Sequence, residues 1–118
     1  MRFHKVLCPT DFSAGSDRAV AVAGRLAAEH GAELVITHVF FVPPVAYGGE
    51  FVFPPTMIAD MMKGQQRGLD DAVEAARAHG ATKVKTTLVN GPPWVEITAQ
   101  LAHDGYDLCV IGTHGRSG

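Results

Sequence analysis

Short apolar runs alternate along this chain with longer stretches whose apolar residues recur every three or four positions. Phe3 to Cys8 is a run of the first kind, ended by Pro9, and predicts a strand. From Ser13 to His30, Ala19, Val22, Ala23 and Leu26 fall at helical spacing, with Ser13 or Ser16 placed to cap the helix and Gly31 to stop it. Leu34 to Val39 is apolar and rich in β-branched residues, a second strand. Met57 to His79 carries Ile58, Met62, Leu69, Val73 and Ala76 along one face, which predicts a long helix with a methionine-bearing core stripe. Lys83 to Val89 alternates strictly and predicts a third strand. Pro93 suits the first turn of a third helix running to about His103, and Asp107 to Ile111 is a fourth strand. Between the second strand and the second helix, Phe40 to Pro55 holds four prolines and two glycines, a long loop or lid.

Strands separated by helices imply a parallel sheet with helical crossovers. Strands one and four are apolar throughout, as strands covered on both faces are, whereas strand three alternates like an edge strand. The economical order is therefore 3-2-1-4. Right-handed crossovers then place helices one and two on one face and helix three on the other. The order reverses between strands one and four, and open α/β sheets bind ligands at such a point, beyond the carboxyl ends of the strands. The loops there are Pro9-Thr10-Asp11-Phe12-Ser13 and Gly112 to Gly118.

Composition narrows the function. A length of 118 residues fits one domain, and 47% apolar against 19% charged residues excludes disorder. A net charge of -2 gives no electrostatic case for nucleic acid or an anionic membrane. No signal-peptide pattern follows Met1, and the most apolar stretch is broken by Pro43-Pro44, so a cytoplasmic protein without a membrane span is expected. Cys8 and Cys109 lie in apolar runs without metal-ligand spacing and are expected to be buried, reduced and unpaired.

The two loops carry the candidate chemistry. Gly112-x-x-Gly115 after a buried strand lets the backbone approach an anion with its N–H groups, and Arg116 and Ser117 add a cationic fork and a hydroxyl. A turn leading into a helix needs glycines too. Asp11 is placed to accept hydrogen bonds from ribose hydroxyls or an adenine edge, and equally to cap or turn into the helix that follows. His30, His79 and His103 sit near helix C-termini, where an imidazole suits the dipole. His38 is core or pocket wall, and His114 alone lies within a ligand-type loop. Trp94 reads as a core anchor rather than a stacking platform. Dinucleotide and Walker-type phosphate loops are missing, and no histidine pair has metal-binding spacing.

Taken in order, Pro9-Thr10-Asp11-Phe12-Ser13, His38-Val39, Gly91-Pro92-Pro93 and Asp107-x-x-Val110-Ile111-Gly112-Thr113-His114-Gly115-Arg116-Ser117-Gly118 resemble a universal stress protein domain across essentially the whole chain. The resemblance implies a Rossmann-like sheet of order 3-2-1-4-5, of the adenine-nucleotide alpha-hydrolase type, that commonly forms homodimers. Some members bind ATP or a related adenine nucleotide, with or without Mg²⁺, and others do not. In the binders, Pro9 and Val39 match residues lining the base and Asp11 one at the ribose or adenine, with Thr10 between Pro9 and Asp11 also expected in the nucleotide site. Gly112, His114, Gly115, Arg116 and Ser117 match the ribose and phosphate loop. The family's nucleotide signature continues with a second glycine element nine residues after G-x-x-G, and this sequence ends three residues after Gly115.

The expectation is an adenine-nucleotide-binding stress sensor or regulator. A weak ATP-hydrolysing or phosphoryl-transferring enzyme using Asp11 and His114, and a nucleotide-free dimeric interaction protein, are the alternatives. Helix three alone on one face, and a bare edge on strand four, lead to the further expectation that a fourth helix and fifth strand follow Gly118 in a longer parent chain.

Overall fold

A computed structural model describes residues 2–41 and 55–113; most of the expected loop or lid at 40–55, and residues 114–118 with the candidate site residues His114, Gly115, Arg116 and Ser117, lie outside these described residues. The elements run β1 (Lys5–Pro9), α1 (Ala14–His30), β2 (Glu33–Phe40), α2 (Pro55–Ala78), β3 (Lys83–Asn90), α3 (Pro93–His103) and β4 (Leu108–Cys109). The four strands form one parallel sheet in the order β3-β2-β1-β4, as their apolar patterns predict. Among the described residues no helix is long and apolar enough to cross a membrane.

The two faces of the sheet follow from the period of two along each strand. Val6 and Cys8 of β1 and Leu34 and Ile36 of β2 face α1 and α2, where they bury with Ala19, Val20, Ala23, Leu69 and Ala76. Small residues on α1 let the two helices close up, and a Cβ on Gly24 would come 2.9 Å from the carbonyl oxygen of Ala76. Leu7 and Val35 face the other way and bury with Ile97 of α3, flanked by Val39, Leu101, Tyr106 and Cys109. The expected distribution of helices is therefore observed.

β4 is shorter than the apolar run at 107–111 predicts, and Pro9 is the physical reason. Odd-numbered residues of β1 bond toward β4: Asp107 N–H donates to Lys5 O at 3.0 Å and Val110 N–H to Leu7 O at 2.9 Å. The next donor in that ladder would be the N–H of residue 9, which proline lacks. Pro9 itself remains in β1, paired with Thr37 of β2, so the first strand runs one residue past its expected end. At the other end Asp107 holds the two strands together, its carboxylate accepting from the N–H groups of His4 at 2.8 Å and Lys5 at 3.1 Å. Those backbone bonds, His4's first, hold the Asp107 carboxyl below the usual carboxylate range.

Two packing expectations are corrected. On α2, Leu69 and Ala76 are fully buried and Val73 packs on them, but Met57, Met61 and Met62 are 46%, 43% and 40% exposed. At 24 residues α2 is about 36 Å long against about 26 Å for an eight-residue strand, so its first turns overhang the sheet. Cys109 is half-buried rather than buried. It pairs in register with Leu7, which places it on the α3 face while Cys8 faces α1 and α2. Both cysteines are free.

Candidate functional site

The turn from β1 into α1 is held by a closed set of short polar side chains. Ser13 caps α1, its Oγ accepting from Ser16 N–H at 3.2 Å. Ser16 Oγ donates to Asp11 Oδ1 at 2.6 Å and accepts from Asp11 N–H at 3.1 Å. Ser13 N–H donates to the same Asp11 Oδ1 at 3.0 Å, which closes an Asx-turn. Of the two local roles open to Asp11, the turn is what the geometry displays; Oδ2 has no hydrogen bond among the described residues. Hydrogen bonding from Ser13, then from Ser16, lowers the Asp11 carboxyl to about 2, so it is an anion at neutral pH.

Phe12 completes the turn in the left-handed region at φ 65°, unusual for a bulky residue. Its N–H donates to Thr10 Oγ1 at 3.0 Å, and its ring packs against the His38 imidazole with centroids 4.3 Å apart. His38 Nδ1 lies 2.7 Å from the Thr10 carbonyl oxygen, which can only accept, so Nδ1 carries the hydrogen. His38 is thus a wall of the β1 turn on the α1 and α2 side of the sheet.

On the α3 side, beyond the carboxyl ends of β1, β2 and β4, lies a cavity of about 280 Å³. Pro9, Thr10 and Asp11 line it from β1, and Thr37 and Val39 from β2. Ile111 and Gly112 close the β4 side and Ser16 the start of α1. Gly112 is required there, because a Cβ would run into the backbone carbonyl of Gly15 in the first turn of α1. Pro93, Trp94 and Ile97 of α3 form the opposite wall. Asp11 is the one acidic side chain among these lining residues, which are otherwise largely apolar. A larger open groove of about 540 Å³ runs between α2 and β3, lined by charged residues such as Asp70, Glu74, Arg77 and Lys85. Of these, Lys85 is largely exposed and pairs with Glu33 at 3.5 Å.

The cavity therefore brings together Pro9, Thr10, Asp11, Val39 and Gly112 of the residues singled out by sequence. It adds Ser16, Thr37, Ile97 and Trp94. Trp94 is 63% exposed, so the expected core anchor is corrected: position 94 opens α3, one turn before buried Ile97, where the helix projects past the sheet. The signal for Thr37 was the two-residue step from Val35 to Val39, which places all three on one face. Among the described residues no group of three or more His, Cys, Asp or Glu is arranged to hold a metal ion.

Comparison with known proteins agrees with the geometry. A family model described as the universal stress protein family matches residues 2–118. The chain is 30% identical to Universal stress protein A homolog 1 of Coxiella burnetii, over all of this chain and 81% of that protein. It is 32% identical to Universal stress protein YxiE of Bacillus subtilis, over 98% of this chain and 82% of the other. A solved universal stress protein in complex with cAMP superposes with a TM-score of 0.73 at 27% identity, covering 92% of this chain and 72% of that one. The chain belongs to the universal stress protein family.

Proposed function

We propose that this member of the universal stress protein family binds an adenine nucleotide in the cavity at the ends of β1, β2 and β4, and acts as a stress-response sensor or regulator with at most feeble hydrolysis. The observation that carries the reading is the cavity itself. It lies where the strand order reverses, its volume of about 280 Å³ suits a nucleoside moiety, and its largely apolar lining includes one exposed, anionic carboxylate. A solved relative holds cAMP, a nucleotide of the same base.

In this reading Pro9 and Val39 pack on the base beside Thr10, and Oδ2 of Asp11 accepts from the ribose. The phosphates extend along Gly112 toward His114, Gly115, Arg116 and Ser117. Mg²⁺ would arrive on the phosphates. One lining carboxylate with Oδ1 already engaged suits an ion carried by its ligand, not an all-protein cage. Self-association into a homodimer belongs to the same proposal and is read by sedimentation.

The test is calorimetry with ATP, ADP, AMP and cAMP, together with the ultraviolet spectrum of whatever denatured protein releases. Saturable binding of at least one, weakened in Asp11→Ala, is expected. A protein that releases no nucleotide and binds none of the four would sink the reading and favour a nucleotide-free interaction protein.

A further inference from the structure

α2 carries two glycines in its interior, Gly64 and Gly68, where helix propensity disfavours both. A Cβ on Gly64 would meet open space. One on Gly68 would come 2.8 Å from Cε1 and 2.9 Å from Cζ of Phe12, so the notch at Gly68 is filled by that ring. The same ring packs on the His38 imidazole of β2, and Phe12 N–H donates to Thr10 Oγ1. Three elements thus hold one half-buried residue, and that residue is strained. Phe12 stands at φ 65°, where a bulky side chain stays only if its surroundings impose it. Backbone strain of this kind gathers at ligand sites.

Phe12 is also the central residue of the Asx-turn that Asp11 makes with Ser13. Its backbone angles decide whether Ser13 N–H reaches Asp11 Oδ1, and so which way the carboxylate faces. We infer that Phe12, wedged against Gly68, is a positioning residue that fixes the Asp11 carboxylate for the bound nucleotide. The inference rests on the nucleotide reading above and adds what holds its anionic contact in place. Phe12 and Gly68 lie outside the cavity lining and act through Asp11. The influence of α2 passes through the turn at the end of the sheet, not through the strands.

The experiment is ATP calorimetry on wild type, Gly68→Ala, Phe12→Gly and Gly64→Ala, each alone and combined with Asp11→Ala. Gly68→Ala displaces the ring, whereas Phe12→Gly permits the left-handed backbone and removes the wedge. Each is expected to bind ATP about tenfold more weakly than wild type. Neither should weaken binding further once Asp11 is alanine, a non-additivity that a loss of stability alone would not produce. Gly64→Ala should bind as wild type does. If Gly68→Ala does not fold, Phe12→Gly carries the same comparison. Wild-type affinity in folded Gly68→Ala or in Phe12→Gly overturns the inference while leaving nucleotide binding intact. So do losses that add to that of Asp11→Ala, or an equal loss in Gly64→Ala. Wild type that binds no ATP overturns both.

Discussion

The two faces of this sheet are built to different rules. Against α1 and α2 the side chains of β1 and β2 bury in an alanine-rich interface that brings two helices down close to the strands. Against α3, Leu7, Val35 and Ile97 are the buried hydrophobics among the described residues; beside them lie a threonine–threonine–glutamine cluster and an open cavity. One face supplies cohesion and the other leaves polar groups and volume for chemistry. The same strands serve both, because alternate residues point opposite ways.

Truncation on the first face should break this division most visibly. Leu34→Ala removes a side chain with no exposure and is expected to cost about 2–5 kcal/mol in denaturant unfolding. Its folded fraction should bind ligand as wild type does. Weakened binding in that fraction would show the faces to be coupled. Next in size is Gly112→Ala at the cavity rim. Its Cβ would push β4 away from the first turn of α1, for about 1–3 kcal/mol of stability and a loss of binding out of proportion to it. If binding falls no more than stability does, Gly112 is a packing residue alone.

Asp11 gives a smaller effect with a pH signature. Its carboxyl is lowered from 3.8 to about 2 in the folded chain, so the stabilisation it brings is present above 3.8 and is lost as pH falls through about 2. Asp11 is solvent-exposed, and screening leaves about 1 kcal/mol of it. Acid titration of the melting temperature should therefore flatten in Asp11→Asn relative to wild type, and parallel curves would refute the assignment. The smallest change expected is at Trp94, whose truncation to alanine should leave stability within about 0.5 kcal/mol because the side chain is mostly exposed. As the one tryptophan of the chain, it makes ligand binding visible as a change in fluorescence. Unchanged emission at saturating nucleotide would place the base away from α3.

Strand order, the distribution of helices over the two faces and the location of the cavity were all legible in the sequence. They depend on patterns within one element: a continuous apolar run, an alternating run, a helical stripe. What escaped depends on where one element ends relative to another. Met57, Met61 and Met62 continue the stripe of α2 yet hang past the sheet, and Trp94 follows Pro93 where α3 does the same. The buried hydrogen-bonded cluster at Thr37 needs Gln100, 63 residues later, to arrive from a helix on the opposite wall. No local spacing encodes that meeting. Asp11 lay between these cases, since its turn was written in the neighbouring serines, whereas the engagement of Oδ1 alone among the described residues was not.

The register that sets Leu7 beside Cys109 also settles how this chain meets an oxidant. A parallel sheet works as a partition, and its two sulfurs lie on opposite sides of it. Burial pushes the Cys8 thiol up to about 12, with Cys109 adding to it, and burial raises Cys109 as well. Each therefore stays protonated and poorly nucleophilic at neutral pH. Joining them would require one strand to turn over, which means dismantling the sheet. An internal disulfide is closed to the folded domain as a signal, and peroxide should pass it without leaving that mark.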